Sequence, residues 1–221
     1  MRWLITRNFE RLVAAELSNI SSIAVVGGSY KEPELDIFAR LPVQINYFGI
    51  EFEKNQSLEN FYLDLNTKSN LSRSYDLVIC SQVLEHVWNH QNTFDNLTNL
   101  VNNGGFLWIA CPASNFAHGS PNYFSAGFTS GYISRNFEER NFEIIEEGML
   151  GSRRNYIATH LFHIWLSERL HQYPWFSLFS KLSIKHRIST IMVSIFNKKI
   201  SSKAIWATES YAFLSKIKKA N

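Results

Sequence analysis

Short, nearly unbroken apolar runs separated by polar turns set the rhythm of this chain. The runs at 22–26 (SIAVV) and 75–80 (YDLVIC) scarcely alternate, the pattern of strands buried on both faces. Further runs at 43–50, 60–65, 106–111 and 142–147 predict four more strands. Between them the apolar positions take a helical period. Phe9, Leu12, Val13 and Leu17 share a face over 8–17, and Phe94, Leu97, Leu100 and Val101 share one over 92–101. Asn8 can cap the first of these, and Asn103-Gly104 ends the second. Pro33 suits the first turn of a helix over 33–39, and Thr129 can cap another reaching about 139. Strand and helix alternate, which predicts an α/β fold with a doubly wound, mostly parallel sheet of about seven strands.

The C-terminal part breaks this rhythm. Residues 156–170 are rich in aromatics and end before Tyr173-Pro174, and helices are predicted over about 187–196 and 203–218. The expected organisation is therefore a sheet-forming domain, 1–164, followed by a helical, aromatic and basic extension, 165–221. Charge follows the same division. Residues 1–164 hold 12 Lys and Arg against 17 Asp and Glu, and residues 165–221 hold 10 against 2. A basic tail beside an acidic body suggests docking onto that body, contact with a membrane surface through Trp165, Trp175, Phe176, Phe179, Trp206 and nearby lysines, or a homodimer. No nucleic-acid motif accompanies the charge, so no nucleic-acid partner is expected.

The remaining composition narrows the class. A hydrophobic fraction of 45% over 221 residues supports a sizeable core and excludes wholesale disorder. Cys80 and Cys111 fall inside predicted strands and read as buried thiols of a reducing compartment. No secretory signal and no apolar run of about 18 residues is found. The expected location is cytoplasmic, with peripheral contact at the inner membrane face if the tail docks there.

The segment 74–88 (SYDLVICSQVLEHVW) carries the most chemistry. A buried strand ends in the small polar pair Ser81-Gln82, and a second apolar run with Glu85 and His86 follows. Open α/β sheets bind ligands beyond the carboxyl ends of their strands. At the end of the first strand, Gly27 and Gly28 let backbone approach a ligand closely, or simply make a tight turn. Glu51 ends the second strand, 24 residues after Gly27, where a carboxylate can accept hydrogen bonds from both hydroxyls of a ribose. A solvated carboxylate is the plainer reading, and Glu53 is its competitor.

These segments together resemble the class I S-adenosylmethionine (SAM) dependent methyltransferases of the small-molecule type, the type 11 and type 23 methyltransferase domains, over about residues 20–150. The resemblance implies a Rossmann-like fold with SAM as cofactor. Gly27 matches the first glycine of the family's first motif, Val25 stands where an acid is usual, and Ser29 and Lys31 replace later glycines. FGIEFEKN resembles the stretch that ends in the ribose-binding acid, with Glu51 in that place. Asp64 in FYLDLN resembles the acid that accepts from the adenine amino group, with the N–H of Leu65 meeting a ring nitrogen; an Asx-turn is its alternative. Cys80, Ser81 and Gln82 would line the methionine side, Gln82 standing where the family often has Glu.

The implied chemistry is methyl transfer to a hydroxyl of a small-molecule or glycan acceptor, such as a sugar of surface-polysaccharide synthesis. Histidine as a residue type titrates near neutrality and can take the hydroxyl proton, which makes His86 and His118 rival bases. His118, Tyr123 and Phe124 belong to the long loop 113–128 after the fifth strand, a place where loops often close over substrate. His86 with Glu85 can equally be structural, and the loop can equally be packed surface. His160 and His163 lack further ligands at metal spacing and read as core or interface residues, so no metal is expected. Arg153 and Arg154 read as an exposed basic turn or as partners of a substrate phosphate. The competing function is a catalytically degenerate binding or scaffold protein on the same fold. NAD-dependent sugar modification would need the full glycine fingerprint.

Overall fold

The computed structural model describes residues 2–28, 32–50, 59–115, 121–151, 156–157 and 207–218. Seven strands form one sheet: β1 (Ser22–Val26), β2 (Gln44–Gly49), β3 (Glu59–Tyr62), β4 (Tyr75–Ser81), β5 (Val101–Pro112), β6 (Phe142–Leu150) and β7 (Glu209–Lys216). Their spatial order is β3-β2-β1-β4-β5-β7-β6. The first five run parallel, while β7 is antiparallel to both β5 and β6. The Rossmann-like expectation holds, and the chain direction reverses its spread between β1 and β4.

Each face of the sheet carries its own core. On one face α2 (His90–Leu100) and α3 (Ser130–Glu138) set Phe94, Leu97, Leu100, Ile133 and Phe137 over Val78, Cys80, Leu107, Ile109 and Leu214. On the other, α1 (Arg2–Val13) sets Leu4, Ile5, Phe9 and Val13 over Ile23, Val25, Ile79 and Trp108. The Phe9 ring meets Trp108 edge-on, with centroids 5.3 Å apart, and Tyr211 of β7 stacks on Trp108 at 5.5 Å. This two-sided burial explains the near-continuous apolar runs in β1, β4 and β5. Caps act where the sequence places them at α3, whose Thr129 side chain accepts from the Tyr132 N–H; at α2 the cap is Asn89, accepting from Asn92.

Two expectations need correction. The helix predicted over 8–17 begins near the chain start and ends at Val13. More consequentially, the helix predicted over 203–218 is in its described part the strand β7, which lies between β5 and β6 and is hydrogen-bonded on both sides. Tyr211 and Phe213 fill one core while Ala212 and Leu214 fill the other, a period of two that the flanking lysines obscured. The sheet therefore takes a strand from beyond the expected boundary at 164/165. The tail helix predicted over 187–196 and the aromatic stretch before it lie outside the described residues, apart from Tyr156 and Ile157.

Candidate cofactor and acceptor site

The strand order reverses between β1 and β4, so a crevice opens beyond their carboxyl ends. Gly27 closes β1 with φ +69°, and its N–H donates to the Phe48 carbonyl of β2 at 2.7 Å. A Cβ at this position would come within 2.7 Å of Val83 Cγ2, so only glycine lets the two strand ends approach. A Cβ on Gly28 would meet Val25 at 2.9 Å and Glu32 at 3.0 Å.

At the end of β4 the backbone turns sharply. Gln82 holds φ +58°, a left-handed conformation uncommon outside glycine, asparagine and aspartate, and its N–H donates to the Ala110 carbonyl of β5 at 2.8 Å. Such strain collects at functional sites. The side chains on either side each meet a buried carboxyl group. Ser81 Oγ donates to Glu34 Oε1 at 2.9 Å, and Gln82 Nε2 donates to Glu209 Oε2 at 3.0 Å. Glu34 is fully buried in the short 3-10 turn Pro33–Phe38, and Glu209, the first residue of β7, is 6% exposed. Burial pushes Glu209 up to about 7; the Gln82 hydrogen bond opposes this and the charge of Glu85 adds to it. Burial, with a contribution from Glu85, also raises the thiols of Cys80 and Cys111, which are unbridged.

A 3-10 turn, Leu84–His86, places Glu85 and His86 beside the loop that follows β5. The buried Glu85 accepts through its backbone carbonyl from the Phe124 N–H at 2.8 Å. His86 Nδ1 lies 2.5 Å from the Asn122 carbonyl oxygen. A carbonyl can only accept, so Nδ1 carries the hydrogen and Nε2 the lone pair of the neutral ring. Nε2 stands 3.9 Å from Glu85 Oε1. The Tyr123 ring meets His86 edge-on at 6.0 Å, and its hydroxyl donates to the Asn115 carbonyl at 3.1 Å. Burial and the nearby Glu85 raise the Tyr123 phenol, which stays protonated at neutral pH. Phe124 is half exposed beside them.

Asp64 forms an Asx-turn, with Oδ1 accepting from the Asn66 N–H at 2.9 Å, which leaves Oδ2 for a ligand. Leu65 is buried, and its carbonyl accepts from Thr93 of α2 at 3.1 Å. Gly27, Gly28, Ser81 and Gln82 are thus gathered at the ends of β1 and β4, with His86 and Tyr123 beside the loop that follows β5. Glu51, Glu53, Ser29, Lys31, His118, Arg153, Arg154, His160 and His163 lie outside the described residues.

Sequence reasoning overlooked Glu34 and Glu209. Glu34 falls in the helix predicted over 33–39, and its position one step after Pro33, soon after the glycine turn, was the available signal. Glu209 lay in the mistaken tail helix and had none.

A mostly parallel sheet with a glycine turn and polar strand ends at its switch point is a Rossmann-like fold. The profile of the methyltransferase domain family matches residues 27–189, and the chain belongs to that family. Solved structures share the fold at low identity. The O-methyltransferase of a trans-AT PKS multienzyme from Brevibacillus brevis, in complex with S-adenosyl-L-homocysteine, matches at TM-score 0.60 and 15% identity, over 96% of this chain and 72% of that one. Coclaurine N-methyltransferase bound to N-methylheliamine and S-adenosylhomocysteine (SAH) matches at 0.58 and 12%, over 97% and 70%. The [4+2]-cyclase SpnF matches at 0.57 and 13%, over 95% and 81%. No curated protein matches the chain at a significant level.

Proposed function

We propose that this chain is a SAM-dependent methyltransferase that methylates a hydroxyl of a small-molecule or glycan acceptor, such as a surface-polysaccharide sugar. One observation carries the cofactor assignment. The glycine turn of β1 and the strained end of β4 meet at the switch point, and the fully buried carboxyl of Glu34 stands there with Oε2 unpartnered among the described residues. No described Lys or Arg pairs with Glu34 or Glu209. Such a site suits a ligand that brings positive charge, and SAM brings a sulfonium and an ammonium. Gly27 and Gly28 would admit its methionine portion, Ser81 and Gln82 would line it, Asp64 and the Leu65 N–H would meet the adenine, and Glu51 the ribose.

When bound, the cofactor supplies an electrophilic methyl group on sulfur. The chain's own part is positioning and proton removal. The acceptor oxygen gains the methyl group and loses its proton, and His86 Nε2 is presented to take that proton. Its side chain is 31% exposed, so an acceptor can reach it. Tyr123, whose phenol hydrogen is engaged by the Asn115 carbonyl, can accept from a donor on the acceptor and orient it. His118, in the same loop, is the rival base. Structures that share the fold include an N-methyltransferase, so the choice of oxygen rests on the polar, aromatic loop and the His86 geometry.

Calorimetry with SAH tests the cofactor assignment, and transfer of labelled methyl from SAM to sugar and phenol acceptors tests the substrate class. Absence of heat with SAH would favour a scaffold protein on the same fold, the reading encouraged by Val25 in place of the usual acid. Among the described residues no helix is long and apolar enough to cross a membrane. We place the protein in the cytoplasm, with the basic tail as a peripheral membrane contact or dimer surface. Liposome flotation tests the former, using Trp and Lys substitutions in 165–206. A truncation at 164 would remove β7 from the sheet.

A further inference from the structure

Glu34 is a fully buried carboxyl group with one oxygen that the fold leaves unmatched. It is 0% exposed; Oε1 accepts from Ser81 Oγ at 2.9 Å, and Oε2 has no hydrogen-bond partner. A buried carboxylate with one oxygen unsatisfied is costly unless a charged or hydrogen-bonding group arrives to meet it. Its location tells what kind of group that is. The Ser81 contact fixes the carboxyl group at the ends of β1 and β4, the switch point of the sheet where ligands enter. No described Lys or Arg forms an ion pair with it. Among the described residues no three His, Cys, Asp or Glu side chains gather as a metal site, so an organic cation fits better than a metal ion.

The neighbouring strand end explains why a residue from the turn is used. Val25, where the family resemblance would place an acid, is 1% exposed and packs into the core beneath α1, so β1 offers no carboxylate there. Gly28 leaves space beside it: a Cβ on Gly28 would crowd Val25 and Glu32.

Resting on the SAM reading above, we propose that Glu34 Oε2 receives the α-ammonium of the cofactor's methionine end. Ser81 holds Oε1, which leaves Oε2 as the oxygen without a hydrogen-bond partner. The ammonium donates a charge-assisted hydrogen bond to an oxygen that is otherwise unsatisfied. The dependence is therefore specific to the amino-acid end of the ligand and indifferent to its nucleoside end.

The experiment is calorimetry of wild type and Glu34→Gln with two ligands, SAH and 5′-methylthioadenosine, which lacks the amino-acid portion. Glu34→Gln is expected to weaken SAH at least tenfold and to leave methylthioadenosine within twofold. Equal SAH affinity in the two proteins overturns the assignment, as does an equal loss for both ligands, which marks a structural role. A second arm needs no variant: SAH acetylated on its amino nitrogen should bind wild type at least tenfold more weakly than SAH, and equal binding overturns the proposal. If wild type binds neither SAH nor methylthioadenosine, the SAM reading itself fails and takes this assignment with it. SAH binding with no dependence on Glu34 leaves the SAM reading standing and sinks only the role of Glu34.

Discussion

Replacing Glu209 by Gln removes a titrating carboxyl from a nearly closed site while keeping its shape and an oxygen to accept from Gln82 Nε2. In the folded chain burial raises Glu209 from 4.5 to about 7. A raised carboxyl means that the folded state binds more protons than the unfolded state between these values. Its contribution is then complete below about 4.5 and is lost as pH rises through about 7. The gap of about 2.5 units, at about 1.36 kcal/mol per unit, corresponds to about 3 kcal/mol. Wild type should thus lose up to about 3 kcal/mol of stability between pH 4.5 and pH 8 from this one group. Glu209→Gln lacks that loss. Urea unfolding of both proteins at half-unit steps from pH 4.5 to 8 isolates it, because the other titrating groups cancel in the difference. The variant's advantage should grow from near zero to about 3 kcal/mol, most steeply between pH 5 and 7. A difference that stays flat over that range, or that grows in wild type's favour, refutes the account of Glu209 as a buried acid stabilised in its neutral form.

Gly27→Ala forces a Cβ onto a left-handed backbone and into Val83, and should cost about 1–3 kcal/mol in urea unfolding while weakening SAH binding. Asp76 is pushed up by burial, but hydrogen bonds from Ser21, Asn102 and Ser22 more than offset this and hold it at about 2. Its stabilisation is present above about 3.8 and fades as pH falls through about 2. Allowing for solvent screening, Asp76→Asn should cost about 1 kcal/mol at pH 7 and flatten acid unfolding between pH 4 and 2. With a methyl acceptor in hand, His86→Gln should lower kcat by about 10²–10⁴-fold. An unchanged kcat would pass the role of base to His118.

The candidate site was legible where local chemistry decides. Gly27-Gly28 after an apolar run, and Ser81-Gln82 after another, mark strand ends whatever packs around them, and the structure gathers all four at one crevice. His86 and Tyr123 were named separately, and it took the 3-10 turn at Leu84–His86 and the loop contacts of Asn122 and Asn115 to bring them together. The carboxyl that meets Gln82 was not legible, because Glu209 is 127 residues away and reaches Gln82 only across the sheet.

Sequence alone determined β1, β4 and β5, because a run of apolar residues with no polar face is stable only between two layers, and alternation with helical segments makes those strands parallel. It also determined the turn at Gly27, since φ +69° beside Val83 admits no other residue without strain. Tertiary structure alone decided β7. Glu209–Lys216 becomes a strand because β5 and β6 present ladders on both sides of it and the two cores take its alternate side chains. The same holds for Glu34 and Glu209. Whether a glutamate is a solvated surface charge or a buried acid depends on what packs over it, and that is set by contacts between segments far apart in the chain.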